Sequence, residues 1–160
     1  MAKRKIRLEG DEILSKISKP VTSITPAVIT LLEDMKDTLY SQEAVGIAAV
    51  QVGSLKRIAL IDIGEGLTEL INPEITASEG SAESREGCLS VPGYIGYVER
   101  PEKLTVKYLD RNMDEQTLEC EGYMAQAVCH EVDHMNGILL PEISFTLEDT
   151  ADGIYDYEGI

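Results

Sequence analysis

Both histidines of the chain lie four residues apart in the stretch CHEVDHMNG, which covers residues 129–137. Successive residues of an α-helix advance by about 100°, so His130 and His134 would point in nearly the same direction. Two imidazoles placed in this way can bind one metal ion, and Glu131 beside them can take a proton from water and return it. The alternative is an amphipathic helix with two surface histidines. We favour the metal site because the motif uses every histidine of the chain and lies on a predicted helix.

A catalytic ion of this kind needs a third protein ligand and an open position for water. The position of a further histidine in HExxHxxGxxH is Leu140, so that pattern fails. The downstream glutamates follow the helix in a short acidic stretch: Glu142, Glu148 and Glu158. Among the cysteines, Cys129 would point about 120° away from the histidines, and Cys120 ends a predicted strand, so both are expected to fill the core. Cys88 lies in EGCLSVPG, a polar loop that offers no apolar pocket to fill. By elimination, Cys88 is the predicted third ligand.

The composition is that of one globular domain, with 160 residues and 43 % hydrophobic residues. No apolar run approaches the roughly 18 to 20 residues that a membrane span requires, and no apolar signal core follows the basic start MAKRKIRL. We therefore expect a cytoplasmic protein that does not contact membranes. The net charge of −15 argues against nucleic acid as a direct partner. Three cysteines in such a protein are not expected to form disulfides.

Apolar residues recur at helical spacing from Thr25 to about Tyr40, and a later helix is predicted from Tyr123 to Asn136. The predicted strands are KRIALIDI, LTELINPEI, KLTVKYLD and MDEQTLEC, whereas SREGCLSVPGYIGYVERP is expected to be loop or short extended pieces. The pattern predicts an α+β fold. In it, antiparallel strands pack around the late helix that carries the HExxH motif, and a long N-terminal helix precedes them.

The last twenty residues, PEISFTLEDTADGIYDYEGI, contain six acids and no Lys or Arg. We expect residues 1–147 to form a single catalytic metallohydrolase domain and residues 148–160 to form an acidic, solvated and flexible C-terminal tail. The alternative is a docked terminal segment held by Phe145, Leu147 and two tyrosines.

Three segments of the chain resemble, in order and spacing, the motifs GxGxAAxQ, EGCxS and QHExDH of the peptide deformylase family. They are AVGIAAVQ at 44–51, EGCLS at 86–90 and HEVDH at 130–134. EGCLS together with HExDH is highly specific, and the resemblance covers nearly the whole chain. The departures are Ala44, Val50 and Cys129, where the family usually has glycine, proline and glutamine. None of them removes a chemical group used in the reaction, although Ala44 and Val50 could alter the shape of the cleft.

The resemblance implies removal of the formyl group from the N-terminal formyl-methionine of newly made polypeptides, with release of formate. It implies one divalent ion per chain, natively Fe²⁺ with Zn²⁺, Ni²⁺ or Co²⁺ as substitutes, held by Cys88 together with both histidines. The ion would make hydroxide available near neutral pH, with Glu131 as general acid and base. The oxyanion donors implied by the resemblance are the side-chain amide of Gln51 and the backbone N–H of Leu89.

The substrate peptide is expected to bind in extended form, with backbone hydrogen bonds to Val45 and Gly46. Helix geometry places a possible methionine pocket on the histidine face, lined by Tyr123, Gln126 and Ala127. Arg100 is expected to join Glu86 and Asp133 in a charge network, the alternative being separate solvated charges.

The expected partners are N-formyl-methionyl nascent peptides, met at the ribosome by a monomeric enzyme. Two other functions fit part of the pattern. A small zinc endopeptidase would use the same HExxH chemistry on internal peptide bonds. A zinc-stabilised binding module without catalysis would need a fourth protein ligand, and the sequence offers three.

Overall fold

The computed structural model describes residues 2–150, and within them it contains three α-helices, two short 3-10 helices (Glu12–Ser15 and Ala49–Val52) and eight strands. The helices are α1 (Pro26–Ser41), α2 (Tyr123–Met135) and α3 (Leu140–Ile143). The strands are β1 (Gly46–Ala48), β2 (Ile58–Ile61), β3 (Thr68–Glu79), β4 (Ala82–Glu86), β5 (Tyr94–Arg100), β6 (Lys103–Leu109), β7 (Glu115–Glu121) and β8 (Thr146–Asp149). The predicted mixture of helices and antiparallel sheet is confirmed.

Five strands form one antiparallel sheet in the order β1-β2-β3-β6-β7, and the other three form a second sheet in the order β4-β5-β8. The segment SREGCLSVPGYIGYVERP was predicted to be loop or short extended pieces, and two extended pieces in it pair with each other as β4 and β5, with Ser84 opposite Val98. The usual alternation of apolar and polar residues is missing here because the buried positions of β4 are Ser84 and Glu86. This strand faces a polar site instead of an apolar core.

Helix α1 lies against one face of the larger sheet. Thr25 caps its start by accepting a hydrogen bond from Val28 N at 3.3 Å, and Pro26 occupies the first turn, where its missing N–H costs nothing. The helix buries an apolar stripe against the sheet: Val28, Leu31, Leu32, Met35 and Leu39 pack with Ile58, Leu60 and Ile71. This contact fixes β2, which in turn positions β1.

Helix α2 lies on the opposite face of β2. The buried side chains of α2 pack against the larger sheet in one apolar cluster. The helix provides Ala125, Ala127, Val128 and Cys129, and the sheet provides Ile61, Leu70, Leu104 and Val106. The helix stops before Gly137, whose φ of 76° lies in the left-handed region that glycine adopts readily. Arg57 then donates a hydrogen bond to the carbonyl of Met135 at 3.1 Å and anchors this end of the helix.

The end of the described chain belongs to the smaller sheet. Strand β8 pairs with β5, with Leu147 opposite Gly96, so the predicted domain boundary at residue 147 falls inside a strand. The rest of the predicted tail, residues 151–160, lies outside the described residues. Within residues 2–150, no helix has the length and apolar character needed to cross a membrane.

Candidate active site

The two sheets and α2 bring three soft or borderline ligand atoms together. Cys88, which follows β4, meets His130 and His134 of α2, and one ligand atom from each lies within 4.8 Å of the others. The Cys88 Sγ atom is 3.4 Å from His134 Nε2, and the two imidazole centroids are 4.9 Å apart. All three side chains are buried. The structure thus assembles the three residues that the sequence predicted as metal ligands.

The donor set fits a divalent ion of the zinc or ferrous type. His130 Nδ1 lies 2.8 Å from a carboxylate oxygen of Glu86, and among residues 2–150 its other ring nitrogen, Nε2, has no hydrogen-bond partner. A buried ring nitrogen without a partner costs free energy of folding, and a bound divalent ion would supply the partner that Nε2 lacks. Burial, with the neighbouring His130, lowers the pKa of His134 well below its usual range, and a neutral imidazole is the form that binds a metal.

The prediction that the loop around Cys88 offers no apolar pocket is wrong. Cys88 packs with Val91, Val98 and Leu140 in a small buried cluster. Val91 lies in the same loop, but Val98 of β5 and Leu140 of α3 lie outside EGCLSVPG, so the local sequence could not reveal the pocket.

The other two cysteines lie away from the histidines, as predicted. Cys129 is 8 % exposed and belongs to the core between α2 and the larger sheet. Burial raises the pKa of Cys129 to about 11, which keeps it as an unreactive thiol. Cys120 packs against the edge of the same cluster, where burial also raises its pKa.

Glu131 is fully buried next to the ligands, and within residues 2–150 neither of its carboxylate oxygens has a hydrogen-bond partner. Burial raises the pKa of Glu131 to about 7, which suits a group that exchanges protons near neutrality. Its carboxyl group lies against Gly46 of β1. A Cβ atom at Gly46 would be 3.1 Å from Glu131 Cδ and closer still to Oε2. The glycine is therefore required by the close approach of the carboxylate.

The expected charge network is present. Arg100 donates to both oxygens of Glu86 at 2.9 and 2.8 Å and to Asp133 at 2.7 Å. Burial alone would raise the pKa of Glu86, but Arg100 and His130 outweigh it and lower that pKa to about 2. Glu86 therefore stays ionised and fixes the ring of His130 by accepting from Nδ1. This contact with His130 was not predicted, although Glu86 stands only two residues before Cys88.

The two predicted oxyanion donors flank Cys88. Gln51 donates to Ser90 Oγ at 3.1 Å, accepts from Ala48 N at 2.9 Å, and its amide nitrogen lies 3.9 Å from Cys88 Sγ. Leu89 is the residue directly after Cys88. Within residues 2–150, its backbone N–H makes no hydrogen bond. Both groups are thus next to the ligand cluster.

The predicted substrate-binding residues fall into two groups. Val45, Tyr123 and Ala127 belong to the same cluster beside α2, and β1 forms an edge of the larger sheet. Gln126 is partly exposed and borders a surface depression together with Ala82, so it lies towards the outside of the site.

Comparisons with known proteins point to one family. The family model described as "Polypeptide deformylase" matches residues 3–145. A curated peptide deformylase of Thermoanaerobacter pseudethanolicus is 54 % identical over 139 residues, covering 87 % of each chain. The crystal structure of a peptide deformylase from Legionella pneumophila has a TM-score of 0.86 and 45 % identity, covering 89 % of this chain and 86 % of that one. A peptide deformylase from Ehrlichia chaffeensis, solved in complex with actinonin, has a TM-score of 0.87 and 35 % identity, with 89 % of each chain covered. The chain belongs to the polypeptide deformylase family.

Proposed function

We propose that this protein hydrolyses the N-formyl group from the N-terminal formyl-methionine of newly made polypeptides and releases formate. The observation that carries the proposal is the buried cluster of Cys88, His130 and His134 with the unpaired carboxylate of Glu131 beside it. Membership of the polypeptide deformylase family, whose members are metal-dependent hydrolases, supports the same reaction.

Cys88, His130 and His134 would hold the ion, which supplies Lewis acidity and lowers the pKa of water. Glu131 accepts a proton as water attacks the formyl carbon, and it delivers that proton to the amine nitrogen when the C–N bond breaks. Its pKa of about 7 makes both transfers feasible at neutral pH.

Two neutral donors are proposed for the oxyanion that forms on the formyl oxygen. The side-chain amide of Gln51 has two hydrogens. It donates to Ser90 Oγ at 3.1 Å and to Cys88 Sγ at 3.9 Å, and the longer contact to sulfur is the one that would be exchanged for the substrate oxygen. The backbone N–H of Leu89 is the other donor. Loss of one such donor typically lowers kcat by about 10²- to 10³-fold.

The substrate is proposed to add to the open edge of β1 as an extended strand, bonded by the backbone of Val45 and Gly46. Tyr123, Gln126 and Ala127 are proposed to form the methionine pocket, because all three lie on the side of α2 that carries the histidines. Gln126 would contribute at the outer rim, because it is the partly exposed member next to Ala82.

Fe²⁺ is proposed as the native ion, with Zn²⁺, Ni²⁺ and Co²⁺ as substitutes. One thiolate and two imidazoles bind all four ions, so the choice depends on supply and on the rate that each supports. Metal quantification after anaerobic purification tests this point, and about one iron per chain is the expected result.

We further propose one catalytic domain over residues 1–147 with an acidic tail at 148–160, working as a monomer in the cytoplasm and meeting its substrates at the ribosome. The 16-residue α1 is assigned as the long N-terminal helix, and α2 as the late helix that carries HExxH. The meeting of the two sheets and α2 around one cluster supports a single domain.

Formate release from formyl-Met-Ala-Ser tests the function, with unformylated Met-Ala-Ser as the control substrate. Glu131→Ala should retain the metal and lose nearly all turnover, whereas Cys88→Ala should lose both. Glu119→Ala, which removes an exposed acid of β7, should change neither. Cleavage of internal bonds in unformylated peptides would favour the endopeptidase, and metal binding without any hydrolysis would favour the binding module.

A further inference from the structure

The positive charge of this acidic protein is concentrated in two segments. Residues 2–20 and 53–57 contain eight of the fourteen Lys and Arg residues, but only three of the twenty-nine acids. The rest of the chain is therefore even more acidic than the net charge of −15 suggests. An uneven distribution of this kind favours binding of a negatively charged group at one place on the surface.

The first segment lies on the surface, and from Lys3 to Arg7 its residues alternate between exposed and partly buried. Lys3, Lys5 and Arg7 are exposed, whereas Arg4 and Ile6 are partly buried. The segment is held by Arg7, whose backbone N–H donates to the carbonyl of Gln51 at 2.7 Å. Three cations are therefore exposed along the first seven residues of the chain.

The second segment lies beside the first. The Arg7 guanidinium lies next to Gly53, where it would be 2.7 Å from an added Cβ atom. Lys56, three residues after Gly53, forms an isolated parallel β-bridge with Lys19 through the backbone. Arg7 also forms an ion pair with Asp11 at 3.0 Å. The pKa of Asp11 is lowered by hydrogen bonds from Ile13 N and Arg7 and, to a smaller extent, by the charge of Lys16. We call the six exposed cations of this region the basic surface: Lys3, Lys5, Arg7, Lys16, Lys19 and Lys56.

Most of the basic surface has no acidic counterpart. Arg7 pairs with Asp11, but the five lysines make no ion pair with any acid among residues 2–150. The surface also contains a depression whose lining combines cations with apolar groups: Arg4, Lys5, Ile6, Arg7, Leu8, Asp11 and Val52. Leu8 is 49 % exposed there. Such a groove fits an acidic peptide that also has apolar side chains.

The chain itself contains a peptide of this chemistry. Residues 151–160, ADGIYDYEGI, have three acids, two tyrosines, two isoleucines and no Lys or Arg. Thr150, the described residue that precedes this segment, is connected to the basic surface by a short path of hydrogen bonds and chain. Thr150 N donates to Gly93 O at 2.8 Å, and three residues earlier Ser90 O accepts from Glu9 N at 2.8 Å.

The path from Thr150 through Gly93, Ser90 and Glu9 to Arg7 measures at most about 30 Å when every step is fully extended. Ten extended residues span about 33 Å, and the real separation is shorter than this upper bound. The segment therefore reaches the basic surface of its own chain.

We propose that residues 151–160 bind the basic surface of the same chain, with the acids beside the lysines and the isoleucine and tyrosine side chains in the groove. The expected consequence is a more stable N-terminal segment. This matters to the site because the backbone of Arg7 and Glu9 bonds Gln51 and Ser90, which lie next to Cys88. The proposal does not depend on the proposed function.

RNA and anionic membranes are weaker candidates for this surface. Both are extended polyanions that would also face the acidic remainder of the chain, whereas a ten-residue peptide contacts the basic surface alone. Intramolecular binding also has the advantage of a high effective concentration.

Zero-length carbodiimide cross-linking of the full chain, followed by peptide mass spectrometry, tests the contact directly. Asp152, Asp156 and Glu158 should form amide links to lysines of the basic surface at least about fivefold more often than to Lys36, Lys103 or Lys107. These three controls are ion-paired lysines elsewhere, and their links to nearby glutamates verify the reagent. The preference should disappear in 0.5 M NaCl, where the Debye length is about 4 Å. An even distribution over all lysines would overturn the proposal.

Mixing isotope-labelled and unlabelled protein shows which copy provides the segment. Links within one copy support the proposal, and links that predominantly join two copies overturn it. Poly-uridylate RNA and phosphatidylglycerol vesicles are then titrated onto the full chain in 0.15 M NaCl. Tight binding of either one, with a Kd below about 1 μM, would show that the basic surface is free for another partner and would also overturn the proposal.

Hydrogen exchange measures the consequence for the N-terminal segment. In the full-length variant D152N/D156N/E158Q, the backbone amides of Arg7 and Glu9 should exchange about three- to tenfold faster than in the parent. The control variant E65Q/E83Q/E102Q removes the same charge from exposed positions elsewhere and should leave these rates unchanged. Equal rates in both variants would refute a stabilising contact.

Discussion

Replacing Gly46 with alanine should selectively damage proton transfer. The added Cβ would lie 3.1 Å from Glu131 Cδ and would overlap Oε2. The backbone itself tolerates alanine, because Gly46 is not among the residues with positive φ. The carboxylate must therefore move by roughly 1 Å to restore ordinary contact, and a displacement of that size in a catalytic group can cost about 10²-fold in rate. Overpacking of this kind also typically costs about 1–3 kcal/mol of stability.

The assay is formate release from formyl-Met-Ala-Ser at saturating substrate, with metal content measured in the same samples. Gly46→Ala should lower kcat by about 10²-fold while the ion remains bound, because the three atoms nearest to the new methyl group all belong to Glu131. The effect should vanish in a Glu131→Ala background, where no carboxylate remains to be displaced. If kcat stayed within threefold of the parent, or if the loss were equally large without Glu131, the positioning argument would be refuted.

Three further predictions concern the charge network and the ion. Arg100→Ala should cost about 3–5 kcal/mol in the free energy of unfolding, measured with urea, since it leaves Glu86 buried without its cation; a loss below 1 kcal/mol would show that the network adds little. Because the pKa of Glu86 is about 2 when folded and about 4.3 when unfolded, its contribution should be fully present above pH 4.3 and disappear as the pH falls towards 2. The stability difference between the metal-free parent and Glu86→Gln should therefore shrink over that range, and a constant difference would contradict it. Removal of the ion by a chelator should lower Tm, and Fe²⁺ or Zn²⁺ should restore it in the parent but not in Cys88→Ala.

The part of the site that lies on one helix could be predicted from the sequence. The spacing of His130 and His134 is converted into geometry by the helix alone, so their convergence could be predicted without tertiary information. The mixture of helix and antiparallel sheet could also be predicted, because α1 and most strands of the larger sheet have clear apolar periodicity. The catalytic and substrate-binding roles of the site residues remain predictions.

Features that depend on two distant segments could not be read in the same way. The pairing of β4 with β5 could not be predicted because the buried residues of β4 are polar, Ser84 and Glu86, and Glu86 bonds Arg100 of β5 and His130 of α2. The apolar surroundings of Cys88 include Leu140 of α3, more than fifty residues away in the sequence. The requirement for glycine at position 46 follows from Glu131, which approaches from another element. In each case the determining contact is tertiary.

Two buried glutamates beside the same histidine have opposite environments, and this difference supports the role proposed for each. Glu86 accepts from Arg100 and contacts His130, so its pKa falls to about 2 and it remains an anion that orients the imidazole. Glu131 has no hydrogen-bond partner within residues 2–150 and is excluded from water, so its pKa rises to about 7. A carboxylate that never changes its charge can hold a ligand in place, whereas only one that titrates near neutrality can carry a proton through each turnover. Exchanging these environments would therefore abolish both roles, even though the two side chains are chemically identical.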